Sequence, residues 1–121
     1  MTIIELLNSF KDIEFKSKRM LKSKKIDLAY LKQFDLRCEE IRLQILQMDL
    51  SEDINSTFKK IERIKVDYLP SLNFKDKTAN VLTFGYTKKQ KIKKKTDSYY
   101  RDEILHRKIS FQHVETHLKE N

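Results

Sequence analysis

Glycine and proline occur once each in these 121 residues, as Gly85 and Pro70. Tight turns and Gly-rich loops draw on both, so their scarcity argues against an all-β fold and against a glycine loop that cradles a nucleotide. It favours long helices. The one cysteine, Cys38, has no partner for an internal disulfide, which fits a reducing compartment. No apolar run approaches the length of a membrane span. The start, Met1-Thr2-Ile3-Ile4-Glu5, has an early acid and no basic residue, so it does not read as a signal peptide. The expected address is the cytoplasm, or the nucleus in a eukaryotic cell. A Ser-centred elbow, a phosphate loop and a dinucleotide fingerprint are also missing. The carboxylates sit among basic neighbours, as Glu39 and Glu40 do with Arg37 and Arg42, which reads as surface pairing and not as an acid/base dyad. These absences argue against an enzyme, and no cofactor is expected.

What is present is charge of one sign in one place. Lys88, Lys89, Lys91, Lys93, Lys94 and Lys95 fall within eight residues that contain no acid. Residues 75–101 hold nine basic and two acidic side chains, a net +7 in a chain whose whole charge is +8. A block of that density attracts an anion or demands solvent. Tyr86, Tyr99 and Tyr100 flank it, with Arg101 just beyond. Lysines neutralise phosphates without reading sequence, and neighbouring aromatics can stack on exposed bases. Six phosphate contacts would give log K against log salt a slope of roughly −5 on duplex DNA. The plainer reading is a solvated linker, and lysine runs also serve as import signals, bind anionic lipid or dock on acidic proteins.

The remaining signal is helical periodicity. Hydrophobic residues make up 39% and charged residues 36%, polar for a globule, yet the apolar positions recur too regularly for a disordered chain. Thr2 and Glu5 form a capping box before a stripe of Ile3, Leu6, Phe10, Ile13, Ser17 and Met20. The stripe ends at Lys22-Ser23-Lys24-Lys25. Asp27 then caps a second stripe, Leu31, Phe34, Cys38, Ile41, Ile45 and Met48, with the same alternation of three and four. Matching stripes joined by a short polar stretch predict an antiparallel hairpin. Ser51 opens a third helix carrying Ile54, Phe58, Ile61, Ile64 and Tyr68, which Pro70 ends.

Leu72-Asn73-Phe74 and Val81-Leu82-Thr83-Phe84-Gly85-Tyr86 have β-forming composition. Thr96, Asp97 or Ser98 is the expected cap of a last helix bearing Tyr100, Ile104, Phe111, Val114 and Leu118. The fold class is thus all-α, or nearly so: a three- to four-helix bundle with a short β-like segment or hairpin around residues 72–86 before the C-terminal helix. One domain spans 1–121. Its helical core covers 2–69, with helices about 3–23, 28–50 and 52–69; a basic, β-like segment fills 70–97, and the C-terminal helix takes 98–119.

Two smaller features complete the reading. His106, His113 and His117 all fall in the last helix, and the pair His113 and His117 has the i, i+4 spacing of a helical metal site. No further ligand completes a tetrahedral set, so the stripe reads as a wet face, with no metal expected. Cys38 lies between Phe34 and Ile41 and reads as an inert core thiol. The expectation for function is a small binding protein that engages nucleic acid with little sequence specificity. Its candidate contacts are Lys88, Lys89, Lys91, Lys93, Lys94, Lys95, Tyr99 and Arg101. The alternative is an adaptor or subunit docking on an acidic protein surface through the same segment, with the helical stripes pairing to a second copy or another chain.

Overall fold

The computed structural model describes residues 2–66 and 86–120, with side chains in the last helix described from Ile92 onward. Four helices occupy most of them: α1 (Ile3–Lys22), α2 (Leu28–Met48), α3 (Glu52–Lys60) and α4 (Tyr86–Glu120). Among the described residues there is no strand, and no helix is long and apolar enough to cross a membrane. The architecture is the expected all-α bundle. The β-like stretch at 72–85 lies outside the described residues.

Local chemistry sets the first three helix starts. The Thr2 hydroxyl accepts from Glu5 N–H at 3.1 Å, which supplies one half of the capping box. Asp27 Oδ1 accepts from Ala29 and Tyr30 N–H at 2.9 and 3.3 Å, and Ser51 Oγ accepts from Ile54 N–H at 3.1 Å. Asp49, at φ 49° and ψ 56°, takes the left-handed conformation that ends α2, so the break before residue 51 is real.

Packing follows the stripes. Leu6, Phe10, Ile13 and Met20 of α1 are buried with Leu31, Phe34, Cys38, Ile41 and Ile45 of α2. Ile3, at the head of the first stripe, is exposed instead. Ser17 is buried without cost because its hydroxyl donates to Ile13 O at 2.7 Å. Arg37 Nη2 donates to Ser9 Oγ at 3.0 Å, and the Arg19 guanidinium lies 5.4 Å from the Tyr30 ring centroid. Position 9 therefore faces 37 while 19 faces 30: α1 and α2 run antiparallel, as predicted. Phe111 of α4 lies 5.8 Å from Phe10 and 5.5 Å from Phe58, centroid to centroid, joining three helices in one aromatic cluster.

Two boundaries depart from expectation, and both have a physical cause. The third helix was expected over 52–69, but α3 stops at Lys60, and Ile61 is extended at ψ 121°. The backbone beyond it finds partners on other elements. Ile64 N–H donates to Asp35 Oδ1 at 3.1 Å, Lys65 N–H donates to the Tyr99 hydroxyl at 3.0 Å, and Val66 O accepts from the Tyr100 hydroxyl. Those bonds take the place of the i→i−4 ladder for these backbone groups as the segment leaves the helix.

The second departure lies in the last helix. It was expected over 98–119, after a basic non-helical segment, whereas α4 begins at Tyr86 and runs for 35 residues. The lysine run is helical. No glycine or proline interrupts 86–120, and lysine and glutamine are good helix formers. Asp97 is no cap; it accepts from Arg101 Nε at 2.7 Å, an i, i+4 pair inside the helix.

A buried polar network also occupies the interior. Arg107, at 2% exposure, sits between Ile104 and Phe111 on the core side of α4. Its Nε is 3.9 Å from Asp35 Oδ1, its Nη1 donates to Glu103 Oε2 at 2.6 Å, and its Nη2 donates to Glu62 O. Asp35 also accepts from Arg63 Nε at 2.6 Å. The network fastens the non-helical 61–66 segment to α2 and α4 together.

Candidate functional site

The site begins at the C-terminus of α1, whose last carbonyls have no partner within their own helix. Arg101 of α4 supplies one. Its Nη1 donates to Leu21 O at 2.9 Å, and its Nη2 to Ser23 O at 2.7 Å and Lys24 O at 3.3 Å. The cation also suits the negative end of the α1 dipole. This clamp holds the short connection between α1 and α2 against the middle of α4. From Arg101 back to Tyr86, α4 continues for about four turns, roughly 22 Å, past the level where α1 ends.

A cleft of about 530 Å³ lies in the angle so formed. Lys24 and Lys25 of the connection line it from one side, Lys93 and Lys94 of α4 from the other. All four are exposed. The lining also includes Thr96 and four apolar or aromatic residues: Ile26 and Tyr100 are buried, Ile92 is half-buried and Leu28 is 44% exposed. Asp97 reaches the same cleft, but its carboxylate is neutralised by Arg101. Four lysines and a set of apolar side chains thus share one cleft.

The sequence-derived candidates thus part company. Lys93 and Lys94 line the cleft, Lys95 is exposed on the next position of α4, and Lys88, Lys89 and Lys91 lie further towards its N-terminus. Tyr99 is turned to the 61–66 segment: its hydroxyl takes the Lys65 N–H and its ring centroid is 5.5 Å from that of Tyr100. It borders a separate cleft of about 410 Å³ beside Arg63 and His106. Arg101 clamps α1 and does not line the lysine cleft. Lys24 and Lys25 were not among the candidates. The signal for them was the cluster Lys22-Ser23-Lys24-Lys25, which reads locally only as the end of a stripe.

The other candidate chemistry lies elsewhere. His113 is 61% exposed, with Nε2 3.7 Å from the exposed Asp53 carboxylate. Among the described residues, no group of three or more His, Cys, Asp or Glu converges as a metal set. Cys38 is buried in the core, and desolvation pushes its thiol up to about 12, with Arg107 pulling weakly the other way. A thiol so placed is protonated at neutral pH and inert.

The electrostatics of α4 add to the cleft. Its first turn has no acid, and the lysine run begins two residues after Tyr86, at the positive end of the helix dipole. Repulsion among the lysines and with the dipole disfavours this half of the helix in isolation, and a bound polyanion relieves both terms. No family model, no curated protein and no solved structure matches this chain.

Proposed function

We propose that the protein is a non-enzymatic binder of nucleic acid that grips the phosphate backbone at the cleft between the α1–α2 connection and α4. The observation that carries this reading is the meeting of Lys24 and Lys25 with Lys93 and Lys94, beside a lysine helix that extends the same charge by two turns. Lysine is a point charge without the planar fork that reads guanine, so the contact is to phosphate and little sequence preference is expected. Tyr99 and Arg101 act within the fold, holding the 61–66 segment and the end of α1.

Fluorescence anisotropy of labelled oligonucleotides, titrated at several salt concentrations, tests the proposal. Four lysines on phosphates give a salt slope of roughly −3 to −4 on duplex. Replacing Lys24, Lys25, Lys93 and Lys94 with glutamine is expected to abolish most of the affinity and flatten the slope. No binding at low salt would overturn the reading and turn the cleft to an acidic protein surface.

A further inference from the structure

The lining of the lysine cleft says more than its charge. A duplex presents two ridges of phosphate with its bases stacked inside, so it meets lysines and leaves an apolar surface between them uncovered. A single strand presents phosphates and unstacked base faces together. This cleft carries both kinds of surface. Leu28 is 44% exposed and Ile92 is half-buried, and both line it together with Lys24, Lys25, Lys93 and Lys94. The cleft, at about 530 Å³, is in the size range that takes a small organic group such as a nucleobase. Neither Leu28 nor Ile92 belongs to the buried core of the bundle.

We infer that the cleft is a single-strand site, in which one or two bases rest on Leu28 and Ile92 while the lysines hold the flanking phosphates. This rests on the reading of the cleft as a nucleic-acid contact and names the strand form it takes. The base contact is to the aliphatic carbon of Leu28 and Ile92, which reads a base by its face and not by its hydrogen-bonding edge. An anionic lipid surface would also bring charge and apolar groups together, but it is flat on the scale of the cleft and would leave Ile26 and Tyr100 unreached.

The experiment compares three probes at one salt concentration and equal phosphate concentration: an unstructured single strand, a duplex, and vesicles containing anionic lipid. The wild-type protein is expected to bind the single strand about tenfold more tightly than the duplex. Leu28→Ala with Ile92→Ala should erase that margin by weakening the single strand alone. Lys93→Gln with Lys94→Gln should weaken both nucleic acids together. Leu28→Ala by itself, at an exposed position, serves if the double variant fails to fold. Equal affinity for the two strand forms, unmoved by the alanines, overturns the single-strand inference and leaves the phosphate contact standing. Absence of binding to either oligonucleotide overturns both, and binding to vesicles only assigns the cleft to a membrane surface.

Discussion

Arg107 places a charge in the interior of the bundle. Its position continues the apolar stripe of α4, where Tyr100, Ile104, Phe111 and Val114 alternate by four and three, and it is as buried as they are. A guanidinium in that place is tolerable only because Asp35, Glu103 and the Glu62 carbonyl surround it. Removing one partner strands the charge. Asp35→Ala is therefore expected to cost about 3 kcal/mol in urea denaturation, with Ile64 N–H losing its acceptor as well. The double variant Asp35→Leu, Arg107→Met should cost clearly less than the sum of its singles. Strict additivity would show that the two side chains are not energetically coupled. Periodicity made position 107 a seam position, yet an arginine on a helix reads as solvated. Only its distant partners, the Glu62 carbonyl and the Asp35 carboxylate, change that reading.

At the scale of the element, α3 and α4 show opposite failures of local preference. The stripe from Ile54 to Ile64 fits one helix, and both ends of it are buried, but Ile64 reaches the core from an extended segment. Long-range partners outbid the helical ladder there. In α4 a local capping signal at Thr96-Asp97-Ser98 is overridden because the turn before it remains helical and Asp97 finds Arg101. The lysine half of α4 concentrates charge of one sign, so its helicity should respond to screening. Raising salt from about 0.01 M to 1 M shortens the Debye length from roughly 30 Å to 3 Å. Far-UV circular dichroism is expected to gain helical signal over that range. A variant with Lys88, Lys89, Lys91, Lys93, Lys94 and Lys95 replaced by glutamine should start high and change little. A wild-type spectrum independent of salt would mean that repulsion does not limit this helix.

The whole molecule is polarised by its topology. Because α1 and α4 are antiparallel, the end of α1, the connection to α2 and the N-terminal half of α4 share one end of the bundle. That end collects Lys22, Lys24 and Lys25 as well as the lysine run. Arg101 sets the register between the two groups. Arg101→Gln is expected to cost about 2 kcal/mol through its lost bonds to three carbonyls. It should also weaken nucleic-acid binding several-fold, although Arg101 does not line the cleft. Lower stability with unchanged affinity would show that the two lysine pairs act independently.

The sequence by itself determined the helical class, the caps at Thr2, Asp27 and Ser51, the core stripes of α1 and α2, and the place of the charge block. These depend on spacing and on side chains bonding to backbone a few residues away, which a linear pattern records. Tertiary structure alone decided that 61–66 leaves the helix, that Arg107 is buried, and that Lys24 and Lys25 face Lys93 and Lys94. Each of those outcomes depends on groups far apart along the chain, the Arg101 bond to Leu21 O joining positions 80 residues apart. Such pairings follow from the register in which Phe10, Phe58 and Phe111 close the core. That register is a property of the packed helices, and no local window of the sequence contains it.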